Sequence, residues 1–226
     1  MTKLRNLTVV ALAIAFVLSS KSSVMADRNV ELFNGKDLKG WTKRGGAATY
    51  KVEDGVIVGA SVPDTDNTFL ATNDEYGDFI LELDFKIDDP DFNSGVQIRS
   101  HSKKEHNKGR VFGYQVEIDP KPRAFSGGIY FEGGGPNRAA GWLDDLEDND
   151  AARKAFRLGE WNHFRIIAKG PRIQTWVNGV LAVDYTDKDE KAFTPAGFIA
   201  LQVHGVGPAK DRKEVRWKNI KLTVLE

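Results

Sequence analysis

Strict alternation of apolar and polar residues constrains this chain more than any other feature. Residues 78–87 read DFILELDFKI, so that every second side chain is apolar and falls on one side of an extended backbone. A period of two is typical of a strand with one buried face, whereas an amphipathic helix needs spacings of three and four. The chain is therefore expected to form a sheet here, with one face in a core.

Two short turn sequences indicate how strands are joined. Asp54-Gly55 separates YKVE from VIV, and Asn178-Gly179 separates QTWV from VLAV. Two-residue loops of this composition favour the type I′ turn of a β-hairpin. Further strand patterns at 161–168, 198–203 and 215–225 predict an all-β fold, a two-sheet antiparallel jelly-roll sandwich, with a barrel as the alternative. The first and last strands are expected to lie close together.

One segment has a helical pattern. Residues 144–156 include the run Ala-Ala-Arg-Lys-Ala-Phe, with Asn149 or Asp150 available as the N-cap. The segment is short and lies in a polar insertion. We therefore expect a short helix in a loop and no helical layer.

The first 26 residues differ from the rest of the sequence. Lys3 and Arg5 precede an uncharged, mainly apolar run at 7–20, and small or apolar residues lead to Ala26. This is the pattern of a secretory signal peptide cleaved near Ala26. The run is shorter than the roughly 20 residues that a membrane-spanning helix needs. Residues 27–226 are then expected to form a single domain, secreted or periplasmic.

Charge and cysteine content exclude several classes of protein. Lys and Arg total 32, as do Asp and Glu, so the net charge is zero and no nucleic-acid partner is expected. The sequence has no cysteine, which excludes disulfides, thiolate metal sites, a thiol nucleophile and a cysteine-linked lipid anchor. No later stretch has the length and hydropathy of a membrane span. The sequence does not indicate an oligomeric state.

A set of polar side chains shares one parity on three predicted strands, at 95–99, 113–119 and 201–204. If these strands are neighbours, their polar residues form one patch. The amides, carboxylates, arginine and histidine suit directional recognition of hydroxyl groups, although an ordinary solvent-exposed face has the same alternation. The predicted patch contains Gln97, Arg99, Gln115, Glu117, Asp119, Gln202 and His204.

Aromatic residues lie near this patch in the sequence. Tyr130 and Trp142 flank the glycine-rich segment at 133–135. An aromatic face beside hydrogen-bonding groups suits stacking on a sugar ring, whereas a single aromatic is more often part of a core. We expect Tyr130 or Trp142 at the rim of the patch.

Several strings in the sequence together resemble one family. LFNGKDLKGW, NSGVQIRS, GYQVEID, WVNGV and GFIALQVHG follow one another in order. The chain from about residue 30 to 225 is similar in these strings to the 3-keto-disaccharide hydrolase family. The resemblance implies a concanavalin A-like jelly roll and an enzyme acting on sugars oxidised at carbon 3, with a small carbohydrate as its substrate.

A second, partial likeness is to laminarinase-type glycosidases. Glu117-Ile118-Asp119 matches the beginning of their Glu-x-Asp pattern, but Pro120-Lys121-Pro122 follows where a second acid is needed. Ordinary glycosidases use two carboxylates. The missing acid argues against that mechanism.

A 3-keto sugar allows a different reaction, in which a base removes the acidified hydrogen from carbon 2 and the glycosidic oxygen leaves carbon 1. Glu117 or His204 would be the base, and Arg99 would stabilise the enolate. A divalent ion held by Glu117, Asp119 and His204 is the alternative electrophile. The residues expected to hold substrate hydroxyls or rings are Gln97, Gln115, Asp119, Tyr130, Trp142 and Gln202.

Two other functions remain open on the sequence. A lectin-like carbohydrate-binding module has the same architecture, and an exported structural domain is a third interpretation. A binding module needs hydrogen-bonding groups and aromatic rings but has no use for a base beside a cation. The set of Glu117, His204 and Arg99 therefore favours an enzyme.

Overall fold

The computed structural model describes residues 27–120, 122–208 and 211–225, and the predicted signal segment lies outside them. The described chain is built from fifteen strands and one α-helix. In chain order they are β1 (Arg28–Glu31), β2 (Trp41–Gly45), β3 (Thr49–Glu53), β4 (Val56–Ala60), β5 (Thr68–Thr72), β6 (Phe79–Ile87), β7 (Ser94–Ser102), β8 (Val111–Ile118), β9 (Ile129–Glu132), β10 (Gly141–Asp144), α1 (Asp150–Ala155), β11 (Asn162–Lys169), β12 (Arg172–Val177), β13 (Val180–Thr186), β14 (Phe198–Val203) and β15 (Glu214–Val224).

The strands form two antiparallel sheets packed face to face. The first sheet has the order β13-β12-β11-β6-β15-β4-β3, with β1 also paired to β15, and the second has the order β10-β9-β8-β7-β14-β5-β2. The prediction of a two-sheet jelly-roll sandwich is confirmed. The first and last strands are partners, because Arg28 pairs with Val224 and Glu31 with Lys221.

The alternating apolar residues of the sequence form the core, as expected. In β6 the side chains of Phe79, Leu81, Leu83, Phe85 and Ile87 are all fully buried, and the residues between them are partly exposed. Strands β7, β8 and β14 contribute apolar side chains to the same core from the second sheet. Burial of this apolar area is the main source of stability in a chain without disulfides.

Both predicted hairpins are present. Asp54 and Gly55 have φ of 48° and 77°, and Asn178 and Gly179 have φ of 49° and 83°. Positive φ at both central residues is the signature of a type I′ turn, which asparagine, aspartate and glycine tolerate best. These turns join β3 to β4 and β12 to β13.

The predicted helical segment is only partly helical. Helix α1 begins after Asn149, whose side chain accepts a hydrogen bond from the Ala152 backbone N–H, as expected for an N-cap. Asp144, the first residue of the predicted segment, is instead the last residue of β10, which pairs with β9 through Trp142 and Tyr130. No helix in the described part of the chain is long and apolar enough to span a membrane.

Candidate active site

The three strands that carry the predicted patch are adjacent in the second sheet. Gln97 on β7 pairs with Gln115 on β8, and Gly95 lies between Glu117 on β8 and Gln202 on β14. Their alternate residues, such as Val96 and Val116, pack in the core. The polar side chains therefore lie on the face of the second sheet turned away from the first sheet, which is called the outer face below.

A buried hydrogen-bonded series crosses this outer face. Ser100 Oγ donates to Gln97 Oε1 at 2.6 Å, and Gln97 Nε2 donates to Gln115 Oε1 at 2.5 Å. Gln115 Nε2 then donates to Glu117 Oε1 at 2.6 Å. In each of these hydrogen bonds the acceptor lies on the Glu117 side. Ser100, Gln97, Gln115 and Glu117 are together called the polar chain below. Glu117 Oε2 is buried and has no hydrogen-bond partner among the described residues.

A cleft of about 260 Å³ opens over Glu117. Five of the predicted residues line it together: Gln115, Glu117, Tyr130, Trp142 and His204. The Tyr130 and Trp142 rings meet edge to face, with centroids 5.4 Å apart. The remaining residues of this central cleft are Asn67, Asn93, Arg110, Arg123, Glu132, Gly133 and Ala140.

A second cavity, of about 690 Å³, adjoins the central cleft. The two share Asn93, Arg123 and His204, so that they form one continuous depression. Asp119 lines only the second cavity and forms an ion pair with Arg123, with Nε and Oδ2 2.9 Å apart. This adjoining cavity also includes apolar surface from Pro90, Phe92, Pro120, Pro122 and Val206.

The environment of Glu117 changes its acidity. Burial raises the pKa of Glu117 to about 8, and the negative charges of Asp119 and Glu132 act in the same direction. The Gln115 hydrogen bond and the charge of Arg123 oppose this increase. Glu117 is therefore mainly protonated at pH 7, and its proton can be exchanged close to neutral pH.

His204 has a defined tautomer when it is neutral. Its Nδ1 lies 2.7 Å from the Gly205 backbone carbonyl, which can only accept a hydrogen bond. Nδ1 therefore carries the hydrogen, and Nε2 has the free lone pair of the neutral ring. This is the form in which a histidine acts as a base.

Arg99 is not part of the cleft, and the prediction that it shares the face of Gln97 is wrong. The register of β7 against β8 shifts between Ile98 and His101, and Arg99 has φ of 47°. This bulge turns Arg99 away and gives its place on the outer face to Ser100. The guanidinium group is fully buried and donates to Gly77 O, Gly170 O and Asp78 Oδ1.

Gln97 and Gln202 lie on the outer face but below the cleft surface. Both are completely buried, and neither lines the cleft. Gln97 is held within the polar chain, while the Gln202 amide has no hydrogen-bond partner among the described residues. The structure therefore separates these two glutamines from the residues that a bound sugar can touch directly.

Glu117, Asp119 and His204 do not form the metal site that was considered. The described residues include no cluster of three His, Cys, Asp or Glu side chains suited to a metal ion. Asp119 is paired with Arg123 and does not line the central cleft, where Glu117 and His204 meet. The donor set therefore does not fit a divalent ion.

The structure adds cleft residues that the sequence analysis did not identify. Asn67 Nδ2 and Arg110 Nη2 approach Glu132 Oε1 at 3.3 Å and 3.5 Å. Glu132 has the same parity as Tyr130 on β9, so alternation alone was enough to find it. Asn67, Arg110 and Arg123 precede or follow strands, and no sequence pattern marked them.

Comparisons with known proteins agree with the fold. Residues 28–223 match the model of the 3-keto-alpha-glucoside-1,2-lyase-like domain. A comparison with curated proteins gives no match. A candidate glycosyl hydrolase from Parabacteroides distasonis ATCC 8503 has a similar structure, with a TM-score of 0.61 and 22% identity over 88% of this chain and 94% of that one.

Carbohydrate-binding module CBM66 from Bacillus subtilis also shares the fold. Its TM-score is 0.57 and its identity 18%, over 80% of this chain and 94% of that one. A second candidate glycosyl hydrolase from Parabacteroides distasonis ATCC 8503 has a TM-score of 0.53 and 25% identity, over 88% of this chain and 100% of that one. Enzymes and binding modules thus occur among proteins of this shape.

Proposed function

Because the chain belongs to the 3-keto-alpha-glucoside-1,2-lyase-like family, we propose that it cleaves the glycosidic bond of 3-keto-disaccharides or related 3-keto-glycosides. The resemblance inferred from the sequence and the family match both support this proposal. The observation that carries the proposal is the meeting of Glu117 and His204 in one cleft beside two aromatic rings. A proton donor and a proton acceptor at one site are what an elimination requires.

The reaction follows from the chemistry of the substrate. A ketone at carbon 3 acidifies the hydrogen on carbon 2, and its removal gives an enolate. The enolate then expels the glycosidic oxygen from carbon 1, which takes up a proton as it leaves. The ring product contains a carbon 1–carbon 2 double bond, and addition of water completes net hydrolysis.

The two catalytic roles are assigned by protonation state. Neutral His204 has its lone pair on Nε2 and removes the carbon 2 hydrogen. Glu117, with its pKa raised to about 8, is mainly protonated at neutral pH and gives its proton to the leaving oxygen. With His204 neutral and Glu117 protonated, the reaction needs no prior proton transfer between the two groups.

Enolate stabilisation is assigned to Arg123 in place of Arg99. Arg123 lines both the central cleft and the adjoining cavity, and its charge is close enough to affect Glu117. A fixed cation beside the developing oxyanion lowers the barrier to proton abstraction. Asp119 holds the guanidinium group through the 2.9 Å contact.

Substrate binding is divided between the two cavities. Tyr130 and Trp142 provide the aromatic wall of the central cleft, where the oxidised ring would stack. The adjoining cavity is larger and partly apolar, and it would hold the sugar or other group that leaves. Glu117 lines the central cleft and its Oε2 has no partner among the described residues, so this oxygen is assigned to the scissile oxygen of the substrate.

The direct test is incubation of the purified protein with a 3-keto-disaccharide and with its unoxidised parent. Cleavage of the keto sugar alone is expected, with slower turnover when carbon 2 carries deuterium. Appearance of the conjugated enone before water adds would identify the elimination. Rapid cleavage of the unoxidised parent would overturn the proposed mechanism.

A non-catalytic carbohydrate-binding module is the second candidate, favoured by the fold shared with CBM66. It requires that the protein bind sugars without consuming them. Calorimetry with unoxidised and oxidised disaccharides, followed by analysis of the recovered sugar, distinguishes the two. Saturable binding with full recovery of the keto sugar supports the module.

We also propose that the protein is exported after cleavage near Ala26, as the sequence of residues 1–26 predicts. Expression of the full chain, followed by fractionation and mass analysis, tests this. A secreted or periplasmic product beginning near residue 27 is expected. A product that retains the first 26 residues in the cytoplasm would contradict it.

A further inference from the structure

The polar chain has a direction as well as a sequence of contacts. Ser100, Gln97, Gln115 and Glu117 have exposed fractions between 0% and 4%. Every side-chain link in it, from Ser100 to Glu117, has its donor on the Ser100 side and its acceptor on the Glu117 side. Neither glutamine can rotate its amide alone, because two NH₂ groups or two carbonyl oxygens would then face each other.

The direction of the chain decides what Glu117 Oε1 can do. The Gln115 NH₂ group can only donate, so Oε1 has to accept. A neutral carboxyl group then keeps its hydrogen on Oε2, the oxygen that has no partner among the described residues. If every hydrogen bond of the polar chain ran in the opposite direction, the Gln115 carbonyl would face Glu117. A neutral Glu117 would then carry its hydrogen on Oε1 and donate it to that carbonyl.

A glycine provides the space for this arrangement. A Cβ atom placed on Gly95 would lie 2.5 Å from both Cγ and Cδ of Gln115. The Gln115 side chain therefore lies directly over the Gly95 backbone. An alanine at position 95 would displace the Gln115 amide without removing any polar group.

The charged and titratable groups around Glu117 come from several elements. The carboxylates of Asp119 and Glu132 favour the protonated form, and Arg123 favours the ionised form. Tyr130, Arg110 and His204 also line the cleft. None of these groups contacts Oε1 in the structure, so the Gln115 amide is the group that distinguishes the two oxygens.

We propose that Gln115 and Gln97 are positioning residues that hold the Glu117 proton on Oε2, where it faces the substrate. The shared parity of these glutamines on their strands predicted that they bind sugar hydroxyls. Gln97 is instead fully buried, and the Gln115 amide already uses both Oε1 and Nε2 within the polar chain. The catalytic consequence rests on the proposed function, whereas the position of the proton does not.

The test measures the Glu117 pKa in the full chain without substrate, by ¹³C NMR of the labelled carboxyl group. Methionine in place of Gln115 keeps the length of the side chain and removes the donor. The Glu117 pKa is expected to rise by about one unit, since donation to a carboxylate favours its ionised form. A lower Glu117 pKa would show that the hydrogen bonds of the polar chain run in the opposite direction. An unchanged pKa would show that Gln115 does not affect Glu117. Either result overturns the proposal.

Two further variants keep the test available if Gln115→Met does not fold. Gln97→Met leaves the Gln115–Glu117 contact in place but frees the Gln115 amide, so a smaller increase is expected. Gly95→Ala should raise the pKa as Gln115→Met does. Gln174→Met is the matched control, because Gln174 Nε2 also donates to a carboxylate, Asp184 Oδ2 at 3.1 Å, on the first sheet. It should leave Glu117 unchanged.

Turnover of a 3-keto-disaccharide is measured separately on the same variants. The alkaline limb of kcat/KM should move with the Glu117 pKa measured for each variant, while KM changes little. A variant that shifts the pKa without shifting that limb would refute the positioning role in catalysis. Absence of turnover in the wild type would count against the proposed function, and the NMR result would still decide the position of the proton.

Discussion

The outer faces of the two sheets begin from the same alternating pattern and end in different environments. On the first sheet, Arg165 and Glu82 form an ion pair with 3.0 Å between Nη1 and Oε1, and both side chains are about two-fifths exposed. On the second sheet, Gln115 and Glu117 are almost completely buried. Polar residues at every second position thus become a solvated surface in one sheet and the buried floor of a cleft in the other.

The difference arises from the loops and not from the strands. Asn67, Arg110 and His204 lie at the ends of β5, β8 and β14, and all three line the cleft over the second sheet. The charged side chains on the outer face of the first sheet line neither the central cleft nor the adjoining cavity. Loss of water over the second sheet raises the pKa of Glu117, whereas His163 on the first sheet remains nearly half exposed.

The largest expected effect is a loss of enzyme activity, and it is expected on the outer face of the second sheet but not on that of the first. Glu117→Gln should reduce cleavage of a 3-keto-glycoside by about 10²-fold or more, because the proton donor is lost. Substrate binding should largely survive, since glutamine has nearly the same shape. Glu82→Gln on the first sheet should stay within about twofold of wild type. Comparable losses in both variants would indicate a general folding defect instead of a catalytic role.

The pH dependence of stability should differ between wild type and Glu117→Gln. The folded-state pKa of about 8 lies above the ordinary value of 4.5, so the contribution of Glu117 is fully present below pH 4.5 and is lost as pH rises through 8. Relative to Glu117→Gln, the wild type should lose on the order of 4 kcal/mol between pH 5 and pH 9. Urea unfolding at several pH values measures this difference, and a pH-independent difference would contradict it.

Arg99 should be important for stability and not for chemistry. Arg99→Met removes the donor to Gly77 O and Gly170 O and one of the two donors to Asp78 Oδ1, which still accepts from the Gly170 backbone N–H. A loss of about 2–3 kcal/mol is expected, because two partly buried carbonyl groups lose their charged donor. Arg165→Met, on the exposed face, should cost less than about 1 kcal/mol. Turnover per folded molecule should be unchanged, and its loss in a stable Arg99→Met protein would restore a catalytic role.

The smallest effect is expected for an ion pair on the first sheet. Arg172 contacts Asp184 at 2.5 Å, but both side chains are more than one-third exposed. Arg172→Ala should change the free energy of unfolding by less than about 1 kcal/mol, since solvent screens the pair. Denaturant titration at low and high salt checks this. A loss of unfolding free energy as large as that of Arg99→Met would mean that solvent exposure does not decide how much each arginine stabilises the fold.

Much of the fold can be predicted from the sequence, and so can the residues that share one face of a strand. Alternation in β6, the Asp54-Gly55 and Asn178-Gly179 turns and the parity of Gln115 with Glu117 are local properties of the backbone. Side-chain alternation has a fixed period, so residues on one face can be identified without coordinates. The failure at Arg99 marks the limit, because a bulge depends on how β7 pairs with β8.

The sequence by itself determined a two-sheet sandwich and a polar face that includes Glu117 and His204. Only the tertiary structure decided that this face is covered, that Arg123 replaces Arg99 near the carboxyl group, and that Gln97 lies below the cleft. Burial and charge depend on residues far apart in the chain, such as Asn67, Arg110 and Glu132, whose side chains approach one another only after folding. Short-range periodicity contains no information about such contacts, and the acidity of Glu117 depends on them.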